Sequence, residues 1–219
     1  MSAVLMRAPG VYRPQPDTWL LARAMTEAAL PAGASVLDAC TGTGALAIHA
    51  ARTGAAAVTA VDLSRAAVAS AWLNSRLNGV RLELLCGDVT EVVAGRTFDV
   101  IVANPPYVPS DRPVPDGRAA RAWDAGRHGR SLLDPLCAMM PRLLNNGGTA
   151  LLVHSGLSGT ATSLRQLRSG GLKATVVART VIPFGPVLTR RSGWLRDRGL
   201  IRPGQRHEEL VVIRADRTR

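Results

Sequence analysis

The residues with the most evident chemistry lie in Val102-Ala103-Asn104-Pro105-Pro106-Tyr107-Val108. Two consecutive prolines remove two backbone donors and lock φ, so a preceding strand must stop there and a rigid turn must follow. That turn presents the Asn104 side chain and nearby carbonyls. Oxygens so placed can hold the N–H groups of an attacking nitrogen, leaving its lone pair facing an electrophilic carbon. As the new bond forms the nitrogen gains positive charge, which the Asn104 oxygen, the Pro105 carbonyl and the face of Tyr107 would stabilise. Asn104, Pro105 and Tyr107 are the candidate catalytic residues, suited to methylating a planar or amine nitrogen on a macromolecule. No strong general base is required, because the methylated nitrogen can lose its proton afterwards to water or a nearby acceptor.

A second group of residues points to the methyl donor. Gly42-Thr43-Gly44-Ala45-Leu46-Ala47 fits the pattern G-x-G-x-x-G/A, and Asp62 stands close to the roughly 20-residue offset of a ribose-binding carboxylate. Glycines let a backbone approach a cofactor closely, and a carboxylate can accept from two ribose hydroxyls. NAD and S-adenosyl-L-methionine both satisfy this physics. Asp38 favours the second, because a carboxylate there would oppose a pyrophosphate but could hold the ammonium of a methionine moiety. Asp88, after Gly87, is placed to accept from an adenine amino group, and the Asn104 segment adds its own weight. No metal is expected, since Cys40, Cys86 and Cys137 lack the spacing of a zinc site or redox pair.

These residues need a scaffold, and the chain supplies alternating strands and helices. Residues 17–30 read as an amphipathic helix with Asp17 or Thr18 as its cap. Strands follow at 35–39, 57–63, 81–86 and 98–103, with helices at 45–52, 64–78 and 89–94 between them. Helices at 132–144 and 159–169 flank a fifth strand at 149–155, and two closing strands occupy 173–182 and 209–214. Such alternation predicts an α/β fold: a doubly wound, Rossmann-like, seven-stranded and mostly parallel sheet with helices on both faces. Ligands are then expected at the carboxyl ends of the strands. One domain over 1–219 is expected, with 1–33 covering the cofactor. The polar stretch at 108–130 and the Arg-rich stretch at 183–206 are expected to be surface loops facing the substrate.

Composition narrows the setting. Lys and Arg total 27 against 16 Asp and Glu, and all the basic residues but Lys173 are Arg. Planar guanidinium groups suit phosphate or carboxylate partners, so a nucleic-acid or ribosome-associated partner competes with a GC-rich codon bias as the explanation. No apolar run reaches the roughly 20 residues of a membrane span, and no signal peptide is evident, so a soluble cytoplasmic protein is expected.

At this point the sequence resembles a known family, the HemK or PrmC-like class I methyltransferases that modify the glutamine amide of translation release factors. The likeness spans most of the chain. It rests on Val11 to Thr18 (V-Y-R-P-Q-P-D-T), Asp38 to Gly44 (D-A-C-T-G-T-G), Val61-Asp62, Gly87-Asp88 and Asn104 to Tyr107. The first of these, with A-W-D-A-G-R-H-G-R at 122–130, is more similar to the short HemK-like branch, which lacks the N-terminal helical domain of bacterial PrmC. The resemblance implies that Thr18, Asp38, Gly42, Gly44, Asp62, Asp88 and Asn104 contact S-adenosyl-L-methionine, with Val89 beside the adenine. Cys40, counted with the cofactor-binding residues, replaces the first glycine of the family's turn, and its backbone must stay in a region that a non-glycine tolerates. A protein substrate is implied, most directly a release factor, and a small partner subunit is implied by the eukaryotic branch. Two rivals remain: methylation of an exocyclic amine on DNA or RNA, and a catalytically silent RNA- or partner-binding protein of the same fold.

Overall fold

The computed structural model describes residues 3–29, 31–111 and 123–218. Seven strands form one sheet in the order β3-β2-β1-β4-β5-β7-β6. They are β1 (Ser35–Ala39), β2 (Ala57–Asp62), β3 (Glu83–Cys86), β4 (Phe98–Ala103), β5 (Leu144–Ser155), β6 (Lys173–Pro183) and β7 (His207–Asp216). The first five pair in parallel, and β7 lies antiparallel between β5 and β6. The order reverses at β1 and β4, so their carboxyl ends open a crevice where ligands bind in such sheets.

Alternation along the central strands divides the core into two layers. Leu37, Ala39, Ile101, Ala103 and Leu152 face one side, where helices α4 (Val89–Val92), α5 (Leu133–Leu143) and α6 (Thr160–Ser169) pack. Val36, Val100, Val102, Leu151 and Val153 face the other, under α1 (Pro16–Glu27) and α2 (Ala45–Arg52). Strands covered on both faces read as continuous apolar runs, as β4 does. Helix α3 (Arg65–Leu77) begins at Ser64, whose hydroxyl accepts from the Ala67 N–H at 3.3 Å. Among the described residues no helix is long and apolar enough to cross a membrane.

Two expectations need correction, and a third falls partly outside the described residues. The cap of α1 is Gln15, with Pro16 in the first turn and no side-chain capping bond, so Asp17 lies inside the helix and is free for other partners. The 183–206 stretch is not a loop throughout. Pro186–Asp197 forms a helix, α7, whose Leu188 and Leu195 pack with Ile201 into a small cluster that includes Val108, Phe184 and Trp194. Of the 108–130 stretch, residues 112–122 lie outside the described residues, and so does Ala122 of the family-like segment.

Candidate active site

The turn after β1 is organised by two carboxylates. Asp38 is fully buried, and its Oδ2 accepts from the Thr41 hydroxyl at 2.6 Å and the Ala47 N–H at 3.0 Å, which ties down the start of α2. Its Oδ1 is buried without a partner. Burial pushes the Asp38 carboxyl up to about 7, opposed by the bonds from Thr41 and Ala47. Asp62 ends β2 and joins two loops, its Oδ2 accepting from the Gly42 N–H and its Oδ1 from the Ser64 N–H, both at 2.9 Å. Burial raises its pKa as well. A carboxylate has about four acceptor positions, so Asp62 keeps some for a ligand.

Gly44 is required by packing, since at φ +81° a Cβ there would lie 3.1 Å from the Ala71 Cβ on α3. Cys40 departs from expectation. Its φ is +67°, so this non-glycine occupies the small left-handed region rather than a comfortable one. The reversal demands it: the next residue, Thr41, must turn back so that its N–H reaches the Val61 carbonyl at 2.9 Å. Burial, then the nearby Asp62, Asp38 and Asp88, drive the Cys40 thiol pKa well up, which keeps it protonated. A left-handed residue with a Cβ costs about 1–2 kcal/mol, more when β-branched. Cys40→Gly is therefore expected to melt at or above the wild-type temperature and Cys40→Val several degrees below it. The opposite order in thermal scans would show that the strain is absent.

Asn104 follows β4 at the centre of the carboxyl edge. Its Nδ2 donates to the Thr18 hydroxyl at 3.3 Å, which leaves Oδ1 as the end available to a ligand. Beneath it Asp17, 2% exposed, collects four donors. The Tyr12 and Tyr107 hydroxyls reach its Oδ2 at 2.7 and 2.8 Å, and the Thr18 N–H and hydroxyl reach its Oδ1 at 2.6 and 3.2 Å. Both phenols are held protonated by burial and by Asp17. The Tyr107 carbonyl accepts from the Ser158 hydroxyl at 2.6 Å. Arg191 of α7 grips Asp124 with both terminal nitrogens, Nη2 to Oδ2 at 2.9 Å, and donates to the Pro109 carbonyl at 3.0 Å. The Asn104 turn is thus braced from α1, from the end of β5 and from α7.

A cleft of about 1090 Å³ joins these parts. Thr18, Cys40, Gly42, Asp62, Asn104, Pro105 and Tyr107 line it, together with Tyr12, Asp17, Arg190 and Glu208. Asp38 and Gly44 stand behind the turn. Asp88 and Val89 are not among the described residues of the lining. Asp88 is exposed and caps α4, its Oδ1 accepting from the Thr90 N–H at 2.8 Å and the Thr90 hydroxyl at 2.7 Å, and Val89 is in the core. Tyr12 and Asp17 lie inside the family-like segment, where no local pattern marks them as site residues. Glu208 had no signal, because the strand that carries it begins two residues earlier than its apolar run suggests.

A relative in Methanocaldococcus jannaschii that carries a protein N5-glutamine methyltransferase name is 34% identical over 177 residues, which cover 80% of this chain and 88% of that protein. The chain belongs to this methyltransferase family. Its members are S-adenosylmethionine-dependent enzymes, and so is this one. The release factor glutamine methyltransferase of Mycolicibacterium smegmatis is 35% identical over 163 residues, but these span only 57% of its length. Residues 17–105 also match the family model described as ribosomal protein L11 methyltransferase (PrmA). Among solved structures, the E. cuniculi Mtq2-Trm112 complex, described as responsible for methylating the eRF1 termination factor, superposes with a TM-score of 0.63. That match covers 95% of this chain and 99% of the other at 21% identity, a likeness of fold.

Proposed function

We propose that this methyltransferase acts on a protein, transferring the methyl group of S-adenosyl-L-methionine to the side-chain amide nitrogen of a release-factor glutamine. The observation that carries the reading is the Asn104 turn, set at the sheet's switch point with its Oδ1 open to the cleft and its far end fixed to Thr18. The relatives' names supply the glutamine. Arg190 at the cleft, with the rest of the Arg-bearing rim, would add a salt-sensitive attraction for the substrate. The reading extends to a small partner subunit of the kind named with Mtq2.

S-Adenosylmethionine supplies an electrophilic methyl on a positively charged sulfur. The residues present fit it. The orphaned Asp38 Oδ1 suits the methionine ammonium, and the spare acceptor positions of Asp62 suit the ribose hydroxyls. Gly42 and Thr18 line the surface between them and Asn104. The chain's own part in the reaction is positional. Asn104 Oδ1 and the Pro105 carbonyl hold the two amide hydrogens, so the nitrogen lone pair turns toward the methyl. The same oxygens stabilise the charge that builds on nitrogen, and a proton leaves afterwards to solvent.

The Asp38 arrangement predicts a pH effect. With its carboxyl at about 7 in the free protein, Asp38 is mostly neutral at lower pH, and a bound ammonium favours the carboxylate. Binding then releases a proton below that value, so affinity for S-adenosylmethionine should rise with pH up to about 7 and level off. Calorimetry in buffers of different ionisation enthalpy reads the proton directly. Affinity that is flat between about pH 5.5 and 7.5, with no proton released, would detach Asp38 from the ammonium.

A further inference from the structure

Glu208 sits at the start of β7, opposite Ile182 of β6 and just outside the last β5 pair, Ser155 with Leu210. Its residue is 7% exposed, yet it lines the same cleft as Asn104, Pro105 and Tyr107. The carboxyl takes a hydrogen bond from Ser155, while Oε2 is buried and has no partner. A buried polar atom left unpaired is costly, and one in a ligand cleft is accounted for if the ligand completes it. The charged and titratable groups around it are Asp17 from α1, Tyr12 before α1 and Tyr107 after β4. Arg190 of α7 is exposed at the rim of the cleft. Burial, with Asp17 adding to it, pushes the Glu208 carboxyl up to about 7, so it carries its proton through the acid range.

An amide acceptor brings three polar requirements: two N–H groups and one carbonyl oxygen. The Asn104 Oδ1 and the Pro105 carbonyl are acceptors, which serve the N–H groups. The oxygen needs a donor. The hydroxyls of Tyr12, Tyr107 and Thr18 are already committed to Asp17. A protonated Glu208 offers one from a buried carboxyl oxygen that has no partner among the described residues. Resting on the glutamine reading above, we infer that Glu208 is an acceptor-binding residue whose Oε2 donates a hydrogen bond to the carbonyl oxygen of the substrate's side-chain amide. An amine has no such oxygen, so the contact selects amides over amines.

The test uses the full chain, saturating S-adenosylmethionine and a peptide carrying the release-factor acceptor glutamine. Steady-state kinetics are compared for the wild type, Glu208→Ala and Glu208→Gln, with melting temperature and S-adenosylmethionine affinity measured for each. Glu208→Ala should raise the peptide KM about 10- to 100-fold, the loss of one buried hydrogen bond, while cofactor affinity stays within a few-fold. Glu208→Gln keeps an N–H donor in the same place and should recover most of that loss. The wild-type KM should rise as pH passes through about 7, and the Gln variant should lack this rise. An unchanged KM in Glu208→Ala overturns the inference, as does equal damage in both variants or a wild-type KM that falls as pH rises. If the wild type methylates no glutamine, the functional reading fails and takes the inference with it. Wild-type activity with an indifferent Ala variant overturns the inference alone.

Discussion

Asn104→Ala is expected to fold, to bind S-adenosylmethionine within a few-fold of the wild type, and to lose turnover about 100- to 1000-fold. The separation follows from when the side chain acts. Its Nδ2 makes one long bond to Thr18, so its removal costs the resting structure little. Its Oδ1 holds a nitrogen that becomes cationic only as the methyl transfers, so the loss falls on kcat rather than KM. Losing one well-placed partner in a dry site costs about 3–4 kcal/mol by analogy with oxyanion-hole deletions. Asn104→Asp is the companion. It keeps an acceptor, loses the donor to Thr18 and adds a charge that helps a cationic amine more than an amide. High activity in the Asp variant would favour an amine acceptor, and near-normal turnover in the Ala variant would reduce the segment to a turn.

Asp17→Ala should have the largest effect on stability. It leaves the hydroxyls of Tyr12 and Tyr107 and both donors of Thr18 without their shared acceptor, in a site where Asp17 is 2% exposed. Unpaired buried donors cost about 1–3 kcal/mol each before relaxation, so a net loss of about 3–5 kcal/mol is expected. For a domain of this size that is a fall of roughly 6–20 °C in Tm. Activity should fall too, because the same carboxylate holds Thr18, which orients Asn104. Differential scanning calorimetry gives the first quantity and single-turnover kinetics the second. A Tm within a degree of the wild type would show that Asp17 is not the hub its hydrogen bonds describe.

The sheet was readable because buried parallel strands announce themselves as short apolar runs closed by Gly, Pro or Asn. β1 and β4 end where their apolar residues end. Helix α7 was hidden by Arg-rich composition, with Pro186 at its start and Gly193 inside, and its apolar anchors, Leu188 and Leu195, lie two turns apart. Asn104, Pro105, Tyr107 and Asp62 could be placed at the cleft from the sequence because each lies at or just after a strand end. Asp88 was legible as a strand-end carboxylate, but the structure gives it the more common work of capping a helix. Tyr12, Asp17 and Glu208 meet only through tertiary contacts between the N-terminal segment, the Asn104 turn and the last strand, distances that no local pattern records.

The central claim is that a glutamine amide nitrogen is what Asn104 and Pro105 hold. Its most direct measurement is incubation of the purified chain, alone and with a small partner subunit, with methyl-labelled S-adenosylmethionine and a cell lysate, followed by mass spectrometric location of the label. A single methyl on the side-chain nitrogen of a release-factor glutamine, absent with Asn104→Ala, is the expected result. Label in RNA or DNA, or on a lysine amine with the glutamine untouched, would contradict it.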